Sequence, residues 1–176
     1  VAAIGLLCVP QFAVLSYATV FLHDDGHLGL AEITAVMVAL QAGAMIMRIW
    51  SGRHTDRRAN RPAYLRGSAL VALAAFMLLG LAAACDAPGW LLMADVVAAG
   101  IAVSAWHGVA YTELATEAGG ASAGTALGMA NTAVYVGLFL TPMAIPHLLA
   151  ASSWPVVWWL AGLVALLTWP LFPKAQ

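Results

Sequence analysis

Apolar residues fill six blocks of this chain, and short stretches rich in charge, Gly or Pro separate them. The blocks cover residues 1–22, 30–50, 64–84, 90–112, 125–145 and 156–172. About 20 mostly apolar residues in helical form cross the hydrocarbon of a bilayer. Each block is therefore expected to be one membrane-spanning helix. The separators are His23-Asp24-Asp25-Gly26-His27, an arginine-rich stretch, Cys85-Asp86-Ala87-Pro88-Gly89, the Gly-rich link from Glu113 to Gly124, and Pro146-His147 with Ser152-Ser153.

Polar residues inside the blocks are few, and their spacing is informative. Pro10 falls mid-helix in the first span, with Gln11 beside it near the bilayer centre. Thr34, Gln41 and Arg48 recur every seven residues in the second span, which puts them on one helical face. Gln41 then lies about 15 Å from either end. Asp95 and Trp106 are eleven apart in the fourth span and share a face. His107 points about 120° away from them. Asn131 and Tyr135 share a face of the fifth span, and Gly120, Gly124 and Gly128 form a small-residue seam that permits close helix approach. The third and sixth spans carry almost no such groups.

Charge then fixes an orientation. The stretch from Arg48 to Arg66 holds six of the seven basic residues, and Lys174 is the other. An arginine at the bilayer centre costs about 2.5–3.5 kcal/mol on insertion scales, so this stretch is expected to be a loop outside the hydrocarbon. The positive-inside rule puts it in the cytoplasm, with both ends of the chain on the same side. Asp24, Asp25 and Asp86 then fall outside, Trp90 and Trp154 at outer interfaces and Trp50 at an inner one. Overall 63% of residues are hydrophobic and 9% charged, against about 25% charged in soluble domains. The composition is that of a polytopic membrane protein; the fold expected is an all-α bundle of six spans with the lipid bilayer as its surroundings, and the location expected is an inner or plasma membrane. The topological role of the arginines removes the case for nucleic-acid binding. Cys8 and Cys85 are too few for a disulfide framework or a zinc motif and are expected near opposite faces, unbridged. The chain opens on Val1 in apolar sequence without a basic n-region, so no signal peptide is read and a longer parent chain is expected.

The arginine stretch has internal order. Gly52, Asp56, Arg57 and Arg61 follow the pattern G-x-x-x-D-R-x-x-x-R between a second and a third span. This resembles the signature between helices two and three of the major facilitator superfamily, repeated more loosely between helices eight and nine. Ala59 stands where the family usually has Gly, and Asn60 where it has a basic residue. The resemblance implies that residues 1–176 are a single six-span domain, the C-terminal half of a twelve-span permease built from 3+3 repeats. Its missing partner would be the N-terminal half of the same protein. The family's first, second, fourth and fifth helices in each half face the central cavity, and the polar mid-membrane positions fall on those four. Independently of the family, Asp56 among arginines could bridge to Arg57, and an arginine could reach Glu113 or Glu117. Such pairs could hold one face closed and release it during transport, or the arginines could serve only as anchors.

The expected path for solute or proton comprises Gln11, Gln41, Asp95, Trp106, His107, Asn131 and Tyr135. An intramembrane acid such as Asp95 suggests a site, and imidazole at His107 suits a proton carrier. The gating set is Gly52, Asp56, Arg57, Arg61 and Glu113. Gly120-Ala-Ser122-Ala-Gly124 matches G-x-S-x-G, but that motif works at a strand-to-helix turn with an oxyanion hole, so no catalysis is expected. The His23–His27 run is expected to be a solvated loop, with no metal and no cofactor. The function expected is secondary active transport of a small solute by alternating access, coupled to protons. The alternative is a stand-alone six-span protein acting as a homo-oligomeric transporter or scaffold.

Overall fold

The computed structural model describes residues 1–172, and they form helices joined by short turns. The helices are α1 (Ala2–Asp24), α2 (Leu30–Arg58), α3 (Arg61–Ala84), α4 (Gly89–Ala102), α5 (His107–Ala118), α6 (Ala123–Ala151) and α7 (Trp154–Leu167), followed by a 3-10 turn at Trp169–Leu171. Helices α4 and α5 are two halves of one span, so six segments are long and apolar enough to cross a membrane. Turns alternate between two ends. One end carries the arginines and the other carries Asp24, Asp25 and Asp86.

Three expectations need correction. First, the arginine stretch is not a loop. Helix α2 continues through Arg57 and Arg58, and α3 begins at Arg61. Only Ala59, in the left-handed region at φ 49°, and Asn60 separate them. Charge marks where a chain leaves hydrocarbon, and it does not end a helix, because arginine is a good helix former. The break falls just before Arg61-Pro62, where the proline sits in the first helical turn, a position it tolerates.

Second, the fourth span is not continuous. It unwinds across Val103–Trp106. Carbonyls freed there are met by α2: Arg48 Nε donates to Ser104 O at 3.0 Å, and Ser51 Oγ lies 2.8 Å from Ala105 O. Unwound backbone at membrane depth is tolerated only when such partners exist. Trp106 is fully buried, and its ring stacks on His107 with centroids 4.2 Å apart.

Third, the fifth span does not close at Pro146-His147. Helix α6 runs through Pro142 and Pro146 to Ala151. Pro146 has no N–H for the carbonyl four residues back. That carbonyl belongs to Pro142, and the Tyr17 hydroxyl of α1 donates to it at 2.9 Å.

Small residues let α1 and α6 cross closely. A Cβ on Gly5 of α1 would stand 3.0 Å from Ala133 Cβ of α6, and one on Gly137 would stand 3.5 Å from Gly5 O. The membrane offers little hydrophobic drive between helices, so close backbone approach of this kind carries association. Near the acidic end, Phe21, Trp154, Trp158 and Phe76 form an aromatic core. Phe21 meets Trp158 edge-on at 5.2 Å, and Trp154 stacks on Trp158 at 5.8 Å. The seam of Gly124 and Gly128 faces the other way, since a Cβ at either would meet nothing within 4 Å. The outer face of α6, with Tyr135, Phe139 and Met143, is likewise open.

Candidate functional site

At the arginine end, three charged residues from three helices form a chain of contacts. Arg61 Nη2 lies 2.7 Å from Asp56 Oδ1 across the α2–α3 turn. Arg61 Nη1 lies 3.8 Å from Glu113 Oε2 on α5. Asp56 is well exposed and Glu113 mostly covered, with 61% and 17% of their side-chain surfaces accessible, so the inner contact is the less screened. The sequence pointed to an Asp56–Arg57 pair, but Arg61 takes that place. Arg57 is exposed and lines a groove along α2, beside Arg53 and Arg58. Gly52 lies one turn before Asp56 in open surroundings.

The second feature is a hollow of about 470 Å³ at the break in the fourth span. Phe12 of α1, His107 and Tyr111 of α5, and Asn131, Tyr135 and Leu138 of α6 line it. Tyr111 OH donates to Asn131 Oδ1 at 2.7 Å, which ties α5 to α6 across the hollow. The rings of His107 and Tyr111 are nearly parallel, with centroids 6.0 Å apart. Among the described residues, His107 Nδ1, Trp106 Nε1 and Ser104 Oγ at the break, and Gln11 Oε1 on α1, are buried without a hydrogen-bond partner. A buried polar group without a partner is costly, and natural proteins keep few of them.

Of the seven path residues read from sequence, the hollow gathers three: His107, Asn131 and Tyr135. Trp106 adjoins it through its stack on His107, and Gln11 precedes Phe12 on α1. Gln41 lies elsewhere, in a groove of about 1020 Å³ between α1 and α2 toward the acidic end, with Thr34, Met37 and His23. Arg48, although in register with Thr34 and Gln41, is drawn to the fourth span by Ser104 O. Asp95 shares a helical face with Ala98 and Ala102, which line a groove between α2, α3 and α4. That places it apart from the hollow.

Sequence reasoning passed over Tyr111 and Phe12. Tyr111 stands four residues after His107, a spacing that puts both on one face and was open to reading. Phe12 carries no polarity to mark it. At the acidic end, Asp25 is held above the usual carboxylate range. Partial burial in its turn is the first cause, and Asp86 and Asp24 add to it while His27 opposes them. No cluster of three or more His, Cys, Asp or Glu suited to a metal occurs among the described residues.

Comparison with known proteins agrees with this architecture. The family model of the Major Facilitator Superfamily matches residues 1–174. Two curated relatives come from Mycobacterium tuberculosis: the uncharacterized MFS-type transporter Rv2994 of strain ATCC 25618 / H37Rv and the uncharacterized MFS-type transporter MT3072 of strain CDC 1551 / Oshkosh. Each is 28% identical over 176 residues. The match covers 98% of this chain and 38% of each relative, so the chain spans well under half the length of the relatives it matches.

Proposed function

The chain belongs to the Major Facilitator Superfamily, and from that premise we propose that it forms one wall of a secondary transporter that moves a small solute by alternating access. The observation that carries the reading is the hollow at the broken fourth span. It combines neutral hydrogen-bonding groups, stacked aromatic rings and buried polar atoms that lack partners among the described residues. Discontinuous spans that expose backbone and side-chain polarity at membrane depth are where transporters bind their cargo. The open outer face of α6 beside the hollow suits an opposing wall, the N-terminal half of a twelve-span protein.

In this reading His107, Tyr111 and Asn131 contact the solute, and the partnerless Nδ1 of His107 is the proton-accepting atom that couples transport to a gradient. Arg61, held by Asp56 and Glu113, ties α2, α3 and α5 at the arginine end, which the positive-inside rule assigns to the cytoplasm. Breaking its contact to Glu113 would let the fourth span move. The same open α6 face also suits a second copy of this chain, the reading in which six spans work as a homo-oligomer.

The test is uptake by proteoliposomes holding the full-length protein, screened over small organic acids, sugars and amphiphilic drugs with and without a pH gradient. A solute that accumulates with the gradient, and whose gradient dependence is lost in His107→Gln while Asn131→Ala raises its half-saturation concentration, supports the proposal. Transport that neither change affects removes the hollow as the site.

A further inference from the structure

The six arginines of the basic stretch divide into two sets. Arg48 donates to Ser104 O, Arg61 pairs with Asp56 and Glu113, and Arg66 lies over the Trp169 ring at 4.1 Å. Arg53, Arg57 and Arg58 have no ion pair or side-chain hydrogen bond among the described residues. All three line one groove of about 650 Å³ with His54 and the apolar residues Ile46, Ile49 and Trp50. Trp50 also lines a second, almost wholly apolar groove of about 430 Å³, formed with Met47 of α2, Tyr64 and Val71 of α3, and Ile101 of the fourth span. The two grooves thus meet at one indole. Its ring stacks on His54 at 4.7 Å, which sets the imidazole at the border between them. Val71 and Ile46 are open to the surroundings, at 58% and 62% exposure.

An apolar groove at hydrocarbon depth that runs into three guanidinium groups, unpaired among the described residues, at the membrane surface has the chemistry of one molecule: an acyl chain joined to a phosphate. We propose that this face of α2, α3 and the fourth span holds an anionic phospholipid of the leaflet at the arginine end. Its phosphate lies among Arg53, Arg57 and Arg58, and an acyl chain lies along Trp50, Met47 and Val71. Guanidinium groups match phosphate oxygens in a planar fork, and a tryptophan at headgroup level suits the junction of ester and hydrocarbon. Basic surfaces at the ends of spans attract anionic headgroups, and the apolar groove distinguishes this site from attraction to any nearby surface. The site uses arginines that take no part in the Arg61 contacts, and it is independent of the solute proposed above.

The test is native mass spectrometry of the full-length protein, titrated in detergent with dioleoylphosphatidylglycerol or with dioleoylphosphatidylcholine. Wild type should retain the glycerol lipid and release the choline lipid. Arg53→Gln/Arg57→Gln should bind the glycerol lipid roughly thirtyfold more weakly, while Arg66→Gln, which removes the same kind of charge elsewhere at that end, should bind as wild type. Glycerol 3-phosphate in excess should not displace the lipid, because it lacks the chain. Equal retention of both lipids, equal loss in Arg66→Gln, or displacement by glycerol 3-phosphate would overturn the proposal. Should the double variant fail to fold, wild type still decides the matter. A phosphatidylglycerol with a photoreactive group in its acyl chain should label the peptides carrying Trp50 and Val71. Labelling confined to other spans, as expected if another part of the full-length protein covers this face, would overturn it.

Discussion

The Tyr17 hydroxyl replaces a backbone donor: it donates at 2.9 Å to the carbonyl of Pro142, whose helical partner would be the N–H that Pro146 lacks. One side chain of α1 thereby lets α6 carry a proline in its interior without an orphaned carbonyl. Tyr17→Phe should destabilise the bundle by about 1 kcal/mol, within the range measured for hydrogen bonds between membrane helices. Pro146→Ala restores the helical donor, so the cost of Tyr17→Phe should shrink in that background. Reversible unfolding in mixed micelles, run as a double-mutant cycle, measures the difference.

The α1–α6 crossing tolerates little added volume. Gly5→Leu forces a side chain into Ala133 and Gly137, where even a Cβ would stand 3.0 Å from its neighbour. The cost should be about 1–3 kcal/mol, the range for overpacking. Gly128→Leu should cost far less in the same unfolding assay, because nothing of this chain lies within 4 Å of its Cβ position.

The break in the fourth span is held from α2. Ser51→Ala removes the hydroxyl 2.8 Å from Ala105 O and leaves a buried carbonyl unpaired. A loss of about 1–2 kcal/mol is expected. Hydrogen exchange at residues 103–110 should rise more than in α7, which reports local loosening rather than global unfolding.

Asp25 gives a pH dependence with a definite sign. Its folded-state pKa is raised by partial burial and by Asp86 and Asp24. The folded protein therefore binds the proton more tightly than the unfolded chain, and stability falls as pH rises from the ordinary carboxylate value through the raised one. Asp25→Asn should raise the thermal midpoint at neutral pH. The gain should vanish once the pH lies below the ordinary value, where both states are protonated. A gain that grows on acidification would contradict the assigned causes.

The spans were legible because hydrocarbon imposes length and apolarity together, and six such blocks leave one fold class. Helix ends were less legible at the arginines, because the signals for leaving the membrane and for leaving the helix are different. Residues 103–106 contain no Gly or Pro to announce a break. The partners that support it, Arg48 and Ser51, lie more than fifty residues earlier in the chain. Asn131 and His107 stood out as polar groups in apolar blocks, whereas their convergence depends on how α5 and α6 pack, which no local spacing encodes. Asp95 stood out equally, but the face it shares with Ala98 turns it toward the α3 side.

The most direct test is the accessibility of position 131 from the two sides of the membrane. Asn131→Cys, in the full-length protein with its other cysteines replaced, would be treated in sealed vesicles of either orientation with a membrane-impermeant thiol reagent. A solute path that opens alternately predicts labelling of Asn131→Cys from both sides. Val71→Cys, on α3 in the apolar groove shared with α2 and the fourth span, should be labelled from neither. If Asn131→Cys resists the reagent from both sides, or reacts as little as Val71→Cys, the hollow is packing between helices and the transport path lies elsewhere.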